Sequence, residues 1–181
     1  KPLLYYRNNI DSTLTTMALM EDLGIPHLIF SSSCTVYGTP TQLPVTEATP
    51  FGQAESPYGA TKQACEVLYD QFFKTKKNIS GISLRYFNPA GAHDSALIGE
   101  DSAQEATNLV PVITETAIGL RREMIVHGND YPTRDGSCVR DYIHIMDLAK
   151  AHTMARQYLL NVQQESSYEV FNLGIGEGIT V

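Results

Sequence analysis

Short continuous apolar runs alternate along this chain with apolar stripes of helical period, and that alternation predicts a parallel sheet whose strands are joined by helices. Behind Asn8-Asn9, the residues Ile10, Leu14, Met17 and Ala18 follow the 3.6-residue period, and Gly24 with Pro26 supplies a stop signal. The stretch reads as an amphipathic helix packed on a sheet. His27 to Phe30 is a run of strand length without polar alternation, as expected where both faces of a parallel strand are covered. It delivers Ser31, Ser32 and Ser33 to its carboxyl end. From Gly38 to Glu55 the chain is rich in Pro, Thr and Gly with no helical period, a connection long enough to shape a site. Ser56 as cap and Pro57 in the first turn open the next helix, on which Ala60, Ala64, Val67, Leu68 and Phe72 form the expected buried stripe.

Ile82, Leu84, Tyr86 and Phe87 read as a second strand, ended by Asn88-Pro89, where a backbone donor is lost and helix is disfavoured. From Gly91 to Thr107 the chain is polar and irregular, so a change of domain is placed near Pro89, dividing residues 1–88 from 89–181. Asn108 opens a helical pattern through Leu109, Val112, Ile113, Ala117 and Ile118 that closes at Arg121-Arg122. Met124 to Val126 reads as a short strand and Asp135-Gly136 as a hairpin-type turn. Asp147 is read as the cap of a helix carrying Leu148, Ala151, Met154, Ala155 and Tyr158, and Tyr168 to Leu173 as a last strand ending at Gly174-Ile175-Gly176. The final helix and strand can return to the first domain. Those last glycines lack the third glycine and the following helix of a dinucleotide fingerprint, and no Gly-x-Gly-x-x-Gly occurs anywhere in the sequence.

Composition narrows the class. With 43% hydrophobic and 18% charged residues in 181, the chain sits among soluble globular proteins, and its net charge of -7 argues against nucleic acid or an anionic membrane surface as partner. An anionic substrate would need locally placed basic groups. No apolar run approaches the roughly 20 residues of a membrane span, and a cytoplasmic protein is the expectation. Cys34, Cys65 and Cys138 are odd in number and widely spaced, which predicts reduced thiols. The five histidines show no ligand spacing, so no metal is expected.

The candidate chemistry lies between Ser31 and Lys62. Tyr58 and Lys62, four residues apart on a helix, share one face, so a phenol and an ammonium can address the same small volume as an acid/base pair. A fixed cation in a low-dielectric cleft favours phenolate, and Lys62 is expected to lower the Tyr58 pKa. Ser33 stands at the carboxyl end of its strand, where ligands bind in open parallel sheets, and can hydrogen-bond a reacting oxygen. Arg140, in Val139-Arg140-Asp141-Tyr142, presents a guanidinium suited to a bidentate grip on phosphate, or to pairing with Asp141.

Five segments stand in a recognisable order: Ser31-Ser32-Ser33-Cys34-Thr35-Val36-Tyr37-Gly38, Ser56-Pro57-Tyr58-Gly59, Arg85-Tyr86-Phe87-Asn88-Pro89-Ala90-Gly91-Ala92, Gly128-Asn129-Asp130-Tyr131-Pro132-Thr133 and Val139-Arg140-Asp141-Tyr142-Ile143-His144. With them the chain resembles the extended short-chain dehydrogenase/reductase family, and within it the UDP-glucose 4-epimerase branch. The resemblance implies an α/β fold, a Rossmann-type doubly wound parallel sheet with a smaller α/β substrate-binding domain. On that view residues 1–88 are the later half of the NAD-binding domain and 89–181 mainly the UDP-sugar-binding domain. Its first strands and Gly-rich turn are missing, so the sequence is expected to be an internal piece of a longer enzyme, inactive alone.

The resemblance further implies NAD as cofactor and UDP-glucose and UDP-galactose as substrates, interconverted through a 4-keto sugar in galactose metabolism. Tyr58 would be the base, Ser33 would hydrogen-bond O4, and Lys62 would bind the nicotinamide ribose. Asn8 and Phe87 would contact the cofactor, although Asn8 also reads as a simple helix cap. Asn88, Asn108, Leu109 and Arg140 would contact the nucleotide-sugar. A homodimer is common among such proteins. Other readings are a nucleotide-sugar dehydratase or decarboxylase on the same fold, a non-catalytic nucleotide sensor, and a truncated product. Against the first, Ser32-Ser33-Cys34 stands where dehydratases resemble Thr-Asp-Glu.

Overall fold

The computed structural model describes residues 1–101, 105–161 and 166–181. In chain order its elements are α1 (Pro2–Tyr6), a π-helical turn (Arg7–Asp11), α2 (Ser12–Leu23), β1 (His27–Ser33), a 3-10 turn (Cys34–Tyr37), α3 (Pro57–Thr75), β2 (Ile79–Tyr86), β3 (Asn88–Ala90), α4 (Leu109–Ala117), β4 (Val139–Arg140), β5 (Tyr142–His144), α5 (Ile145–Asn161), β6 (Ser166–Leu173) and β7 (Ile179–Thr180). They divide into two compact units, residues 1–87 with 151–173, and residues 88–150 with 174–181.

The first unit is built on a parallel sheet of order β1-β2-β6. Its register sets Ser33 opposite Tyr86 and Tyr86 opposite Leu173, so the three carboxyl ends form one edge. One face carries α2 and α3, where Met20, Tyr69, Phe72 and Phe73 are buried with Leu28, Phe30 and Tyr168 against them. On the other face Ala155 and Leu159 of α5 pack on Ile82 and Leu84. The alternation of side chains along a strand accounts for this division, since Ile82 and Leu84 point one way and Gly81, Ser83 and Arg85 the other.

Helix boundaries follow their caps. Gly24 closes α2 in the left-handed region (φ 63°), where glycine carries no Cβ penalty. The Ser56 hydroxyl accepts the Gly59 N–H at 3.1 Å, with Pro57 in the first turn of α3. The buried faces differ from the expected stripes. Leu14 and Ala18 on α2, Val67 on α3, and Met154 and Tyr158 on α5 are exposed, while Thr13, Thr61, Cys65 and Glu66 are buried. Hydrogen bonds explain the rotation of α2 and α3: Asn9 Nδ2 donates to Thr61 Oγ1 at 2.7 Å, and Thr13 Oγ1 to Cys65 Sγ at 3.2 Å. The contact of the π-helical turn and the start of α2 with α3 is polar, so hydrophobicity alone points to the wrong side there.

In the second unit Asn88-Pro89 does not simply end a strand, because Asn88–Ala90 itself pairs in parallel with Tyr142–His144. β4 pairs antiparallel with β7. Met124 to Val126 forms no strand and is exposed, since no other segment offers it a ladder among the described residues. Asp135-Gly136 closes a loop and not a two-stranded hairpin: Tyr131 N–H donates to the Gly136 carbonyl at 3.0 Å, and the Asp135 carboxylate accepts from Ser137 N–H and Oγ. α5 begins two residues before Asp147, capped by His144 Nδ1, which accepts the Met146 N–H at 3.2 Å; Asp147 pairs with Lys150 instead. Residues 102–104, within the stretch read as irregular, lie outside the described residues.

Candidate active site

In the first unit the end of β1 and the start of α3 bring Ser33, Tyr58 and Lys62 to the carboxyl edge of the sheet. Ser33 is extended (φ -152°, ψ 148°), buried, and caps the 3-10 turn by accepting the Thr35 N–H at 3.3 Å. The long connection after Gly38 folds back on this turn. Gly52 N–H donates to the Val36 carbonyl at 3.2 Å, and Gln63 Nε2 of α3 donates to the carbonyls of Val36 and Gly52, both at 2.8 Å. A Cβ at Gly38, whose φ is 57°, would collide with the Gln53 carbonyl, so glycine there lets the two backbones meet.

Tyr58 is half-buried, its ring set edge-on to Tyr5 at 6.0 Å between centroids. Burial pushes its phenol up from the ordinary tyrosine value; hydrogen bonding by Ser33 pulls it down by less, and Cys34 and Tyr5 add to the rise. Lys62 Nζ lies 5.5 Å from the Tyr58 ring centroid and 4.8 Å from that of Phe30, and donates to the Ser31 carbonyl at 2.7 Å. Burial pulls the Lys62 ammonium down, with Cys65 and Glu66 holding it up. The net shift of the phenol is upward and is set first by burial. Asn8 is exposed within the π-helical turn and caps no helix end. Phe87 is half-buried and its N–H donates to the Leu173 carbonyl at 3.1 Å.

The second unit carries the other expected residues. Asn88 commits one donor, Nδ2, to the Asp141 carbonyl at 2.8 Å. Asn108 precedes α4 with extended backbone, is exposed and makes no side-chain cap bond, while Leu109 is half-buried. Arg140 is exposed, with Nη1 on the carbonyl of Val139 at 2.8 Å. It does not pair with Asp141, whose carboxylate accepts the N–H groups of Ile175 and Gly176, both at 2.9 Å. The Gly174-Ile175-Gly176 run therefore serves as a backbone nest for an internal carboxylate.

Sequence reasoning missed two polar clusters of the first unit. Under Ser33, the Arg85 guanidinium of β2 forks onto the Glu66 carboxylate of α3, and Ser32 Oγ donates to that same carboxylate. Arg85 Nη1 reaches Tyr37 OH at 2.8 Å. On the opposite face Tyr86 OH donates to Ser31 Oγ at 2.7 Å and meets His152 Nε2 at 2.6 Å; one phenolic proton cannot serve both, so His152 donates from Nε2. A single charged residue, Arg85, in otherwise uncharged β2 was the available signal for the first cluster. Among the described residues no group of three His, Cys, Asp or Glu could hold a metal, and no helix is long and apolar enough to cross a membrane. The three cysteines form no disulfide.

Comparison with known proteins gives this geometry a context. Residues 1–174 match the model of the NAD dependent epimerase/dehydratase family. The chain is 44% identical to UDP-glucose 4-epimerase of Erwinia amylovora over 181 residues, covering 100% of this chain and 53% of that protein. It is 47% identical to UDP-glucose 4-epimerase of Drosophila melanogaster over 180 residues, covering 99% and 51%. Among solved structures it resembles UDP-glucose 4-epimerase from Bifidobacterium longum in complex with NAD+ and UDP, with a TM-score of 0.91 and 43% identity over 99% of this chain and 52% of that one. The chain spans about half the length of the curated relatives it matches. A parallel sheet whose carboxyl edge gathers a serine, a tyrosine and a lysine, matched over nearly every residue, means that the chain belongs to the NAD dependent epimerase/dehydratase family.

Proposed function

We propose that this chain is part of an NAD-dependent enzyme that interconverts UDP-glucose and UDP-galactose through a 4-keto sugar. The observation that carries the reading is the convergence of Ser33, Tyr58 and Lys62 at the carboxyl edge of the sheet. Extensive identity to named UDP-glucose 4-epimerases supports it. The donor set fits the nicotinamide-ribose end of NAD: a buried hydroxyl, a half-buried phenol and an ammonium lie within one turn of α3 and the end of β1. When bound, NAD supplies a reversible hydride acceptor for C4 of the sugar. Tyr58 takes the O4 proton, and Ser33 holds that oxygen within reach by hydrogen bonding. Lys62 binds the ribose hydroxyls and adds positive charge beside the phenol, which opposes the rise that burial imposes. Asn8 and Phe87 are assigned to the cofactor.

In the second unit Asn88, Asn108 and Leu109 are assigned to the nucleotide-sugar, with Arg140 on the UDP pyrophosphate. Its exposed guanidinium and the Asp141 nest that holds its neighbour in place support that role. A homodimer fits the apolar surface of Leu3, Leu4, Leu19 and Leu23, all exposed on α1 and α2. A cytoplasmic location fits three thiols outside any disulfide. The test is to incubate the full-length protein with UDP-galactose and follow UDP-glucose. Conversion without net build-up of reduced cofactor is expected, and no conversion with NAD bound overturns the reading.

A further inference from the structure

We propose that Glu66 is a positioning residue, the buried anchor that holds Ser33 in register with the Tyr58–Lys62 face of α3; the proposal rests on the epimerase reading above. Glu66 is 3% exposed and Arg85 5%. Arg85 Nε donates to Oε1 at 3.0 Å and Nη2 to Oε2 at 2.6 Å, a two-pronged grip that fixes the carboxylate plane. Ser32, the residue before Ser33, donates its hydroxyl to the same Oε1. A further guanidinium contact, from Nη1, runs to Tyr37, the last residue of the 3-10 turn that opens on Ser33, and Tyr37 OH donates onward to Asn172 Oδ1 at 2.6 Å on β6. Both ends of the Ser33 turn are thereby tied to one carboxylate. Glu66 also stands one helical turn beyond Lys62 and two beyond Tyr58, so the same side chain fixes α3 against β1 at the level of the site.

A stabilising role alone gives no reason for this choice of residues. Buried ion pairs are often matched by apolar side chains of similar volume, whereas charged groups with several fixed hydrogen bonds specify orientation. Orientation is what a proton acceptor and its hydrogen-bonding serine require, since displacement by about 1 Å lowers turnover by roughly a hundredfold. Burial works against the Arg85 charge, and its bonds to Glu66 and Tyr37 outweigh that effect. The guanidinium therefore stays charged.

The test uses the full-length protein loaded with NAD. Glu66→Gln and Ser32→Ala should each lower kcat for UDP-galactose by about tenfold or more while KM changes far less. In a Ser33→Ala background the same substitutions should cost less than about threefold, because the group whose placement they govern is gone. A second readout is independent of turnover: difluorotyrosine is placed at position 58 and its ionisation followed by fluorine NMR. Both variants should raise its pKa as Ser33→Ala does. Full additivity with Ser33→Ala, or an unchanged phenol titration, overturns the proposal. Should Glu66→Gln fail to fold, Ser32→Ala, which removes a single hydroxyl, decides alone. A wild-type protein that converts no UDP-sugar would sink the epimerase reading, while the phenol titration still decides the positioning of Tyr58.

Discussion

Tyr58→Phe removes one oxygen and almost no volume, which separates the chemical role of this residue from its packing. The ring keeps its edge contact with Tyr5 and its place beneath the Lys62 ammonium. The substitution removes one hydrogen bond with Ser33, so the change in unfolding free energy should stay within about 1.5 kcal/mol. In binding, the loss is one neutral hydrogen bond to the reacting oxygen, about 0.5–1.5 kcal/mol, and KM should move by no more than about tenfold. In turnover, the loss is the proton acceptor. General bases contribute roughly a hundred- to ten-thousandfold, about 2.7–5.4 kcal/mol of barrier. The expected variant is therefore folded, loaded with NAD, able to bind UDP-galactose and at least a hundredfold slower, as read in a coupled assay for UDP-glucose. A kcat within about threefold of wild type would remove Tyr58 from the reaction, and a loss carried mainly by KM would make it a binding group instead.

Arg140→Ala should weaken UDP binding by at least about tenfold in calorimetric titration, since each charge-assisted hydrogen bond contributes roughly 1.5–3 kcal/mol, while NAD affinity stays unchanged; equal UDP affinities would refute the assignment. Asp141→Ala removes the acceptor for two N–H groups beside Arg140, so UDP affinity should fall there as well; retention of wild-type affinity would mean the nest has no bearing on the site. Gly81→Ala should destabilise the first unit by about 1–3 kcal/mol in urea unfolding, because a methyl there overlaps the Phe73 ring that stacks on Tyr168 at 5.4 Å. Stability should also decline in alkali. Burial raises the phenols of Tyr69, Tyr86 and Tyr168, and the unfolded chain ionises them near pKa ~10, so the native state binds more protons above that value. Their contribution is full below about pH 10 and is lost as pH climbs through the raised folded values. Tyr168→Phe should flatten that decline in denaturation midpoints, and an unchanged slope would contradict the assignment.

The sequence made the first unit legible where local chemistry decides local structure. β1, β2 and β6, the Ser56-Pro57 start of α3 and the Gly24 end of α2 all rest on short-range signals, and with them came the placement of Ser33 against Tyr58 and Lys62. Features that depend on a distant partner were not legible. Glu66 carries no local signal of burial until Arg85, 19 residues on, is seen to pair with it. Val67, beside it, belongs to the expected apolar stripe and is exposed, whereas Glu66 is buried in the ion pair. Met124 to Val126 has strand composition but no ladder partner among the described residues, and composition cannot supply one. Asp147 satisfies every local rule for a cap, but β5 ends at His144 and sets its ring nitrogen at the helix entrance first.

The π-helical turn at Arg7–Asp11 makes chain length itself a determinant of the site. In an uninterrupted α-helix, advancing about 100° per residue, Tyr5 and Thr13 would lie roughly 80° apart around the axis. The wider turn advances less per residue and brings Tyr5, Asn9 and Thr13 back toward a single line, which meets α3 at Tyr58, Thr61 and Cys65. An insertion or deletion of one residue here would leave a perfectly good helix and still swing either the ring beside Tyr58 or the hydrogen-bonded pair beside Thr61 out of contact. The segment can therefore tolerate almost no change of residue count.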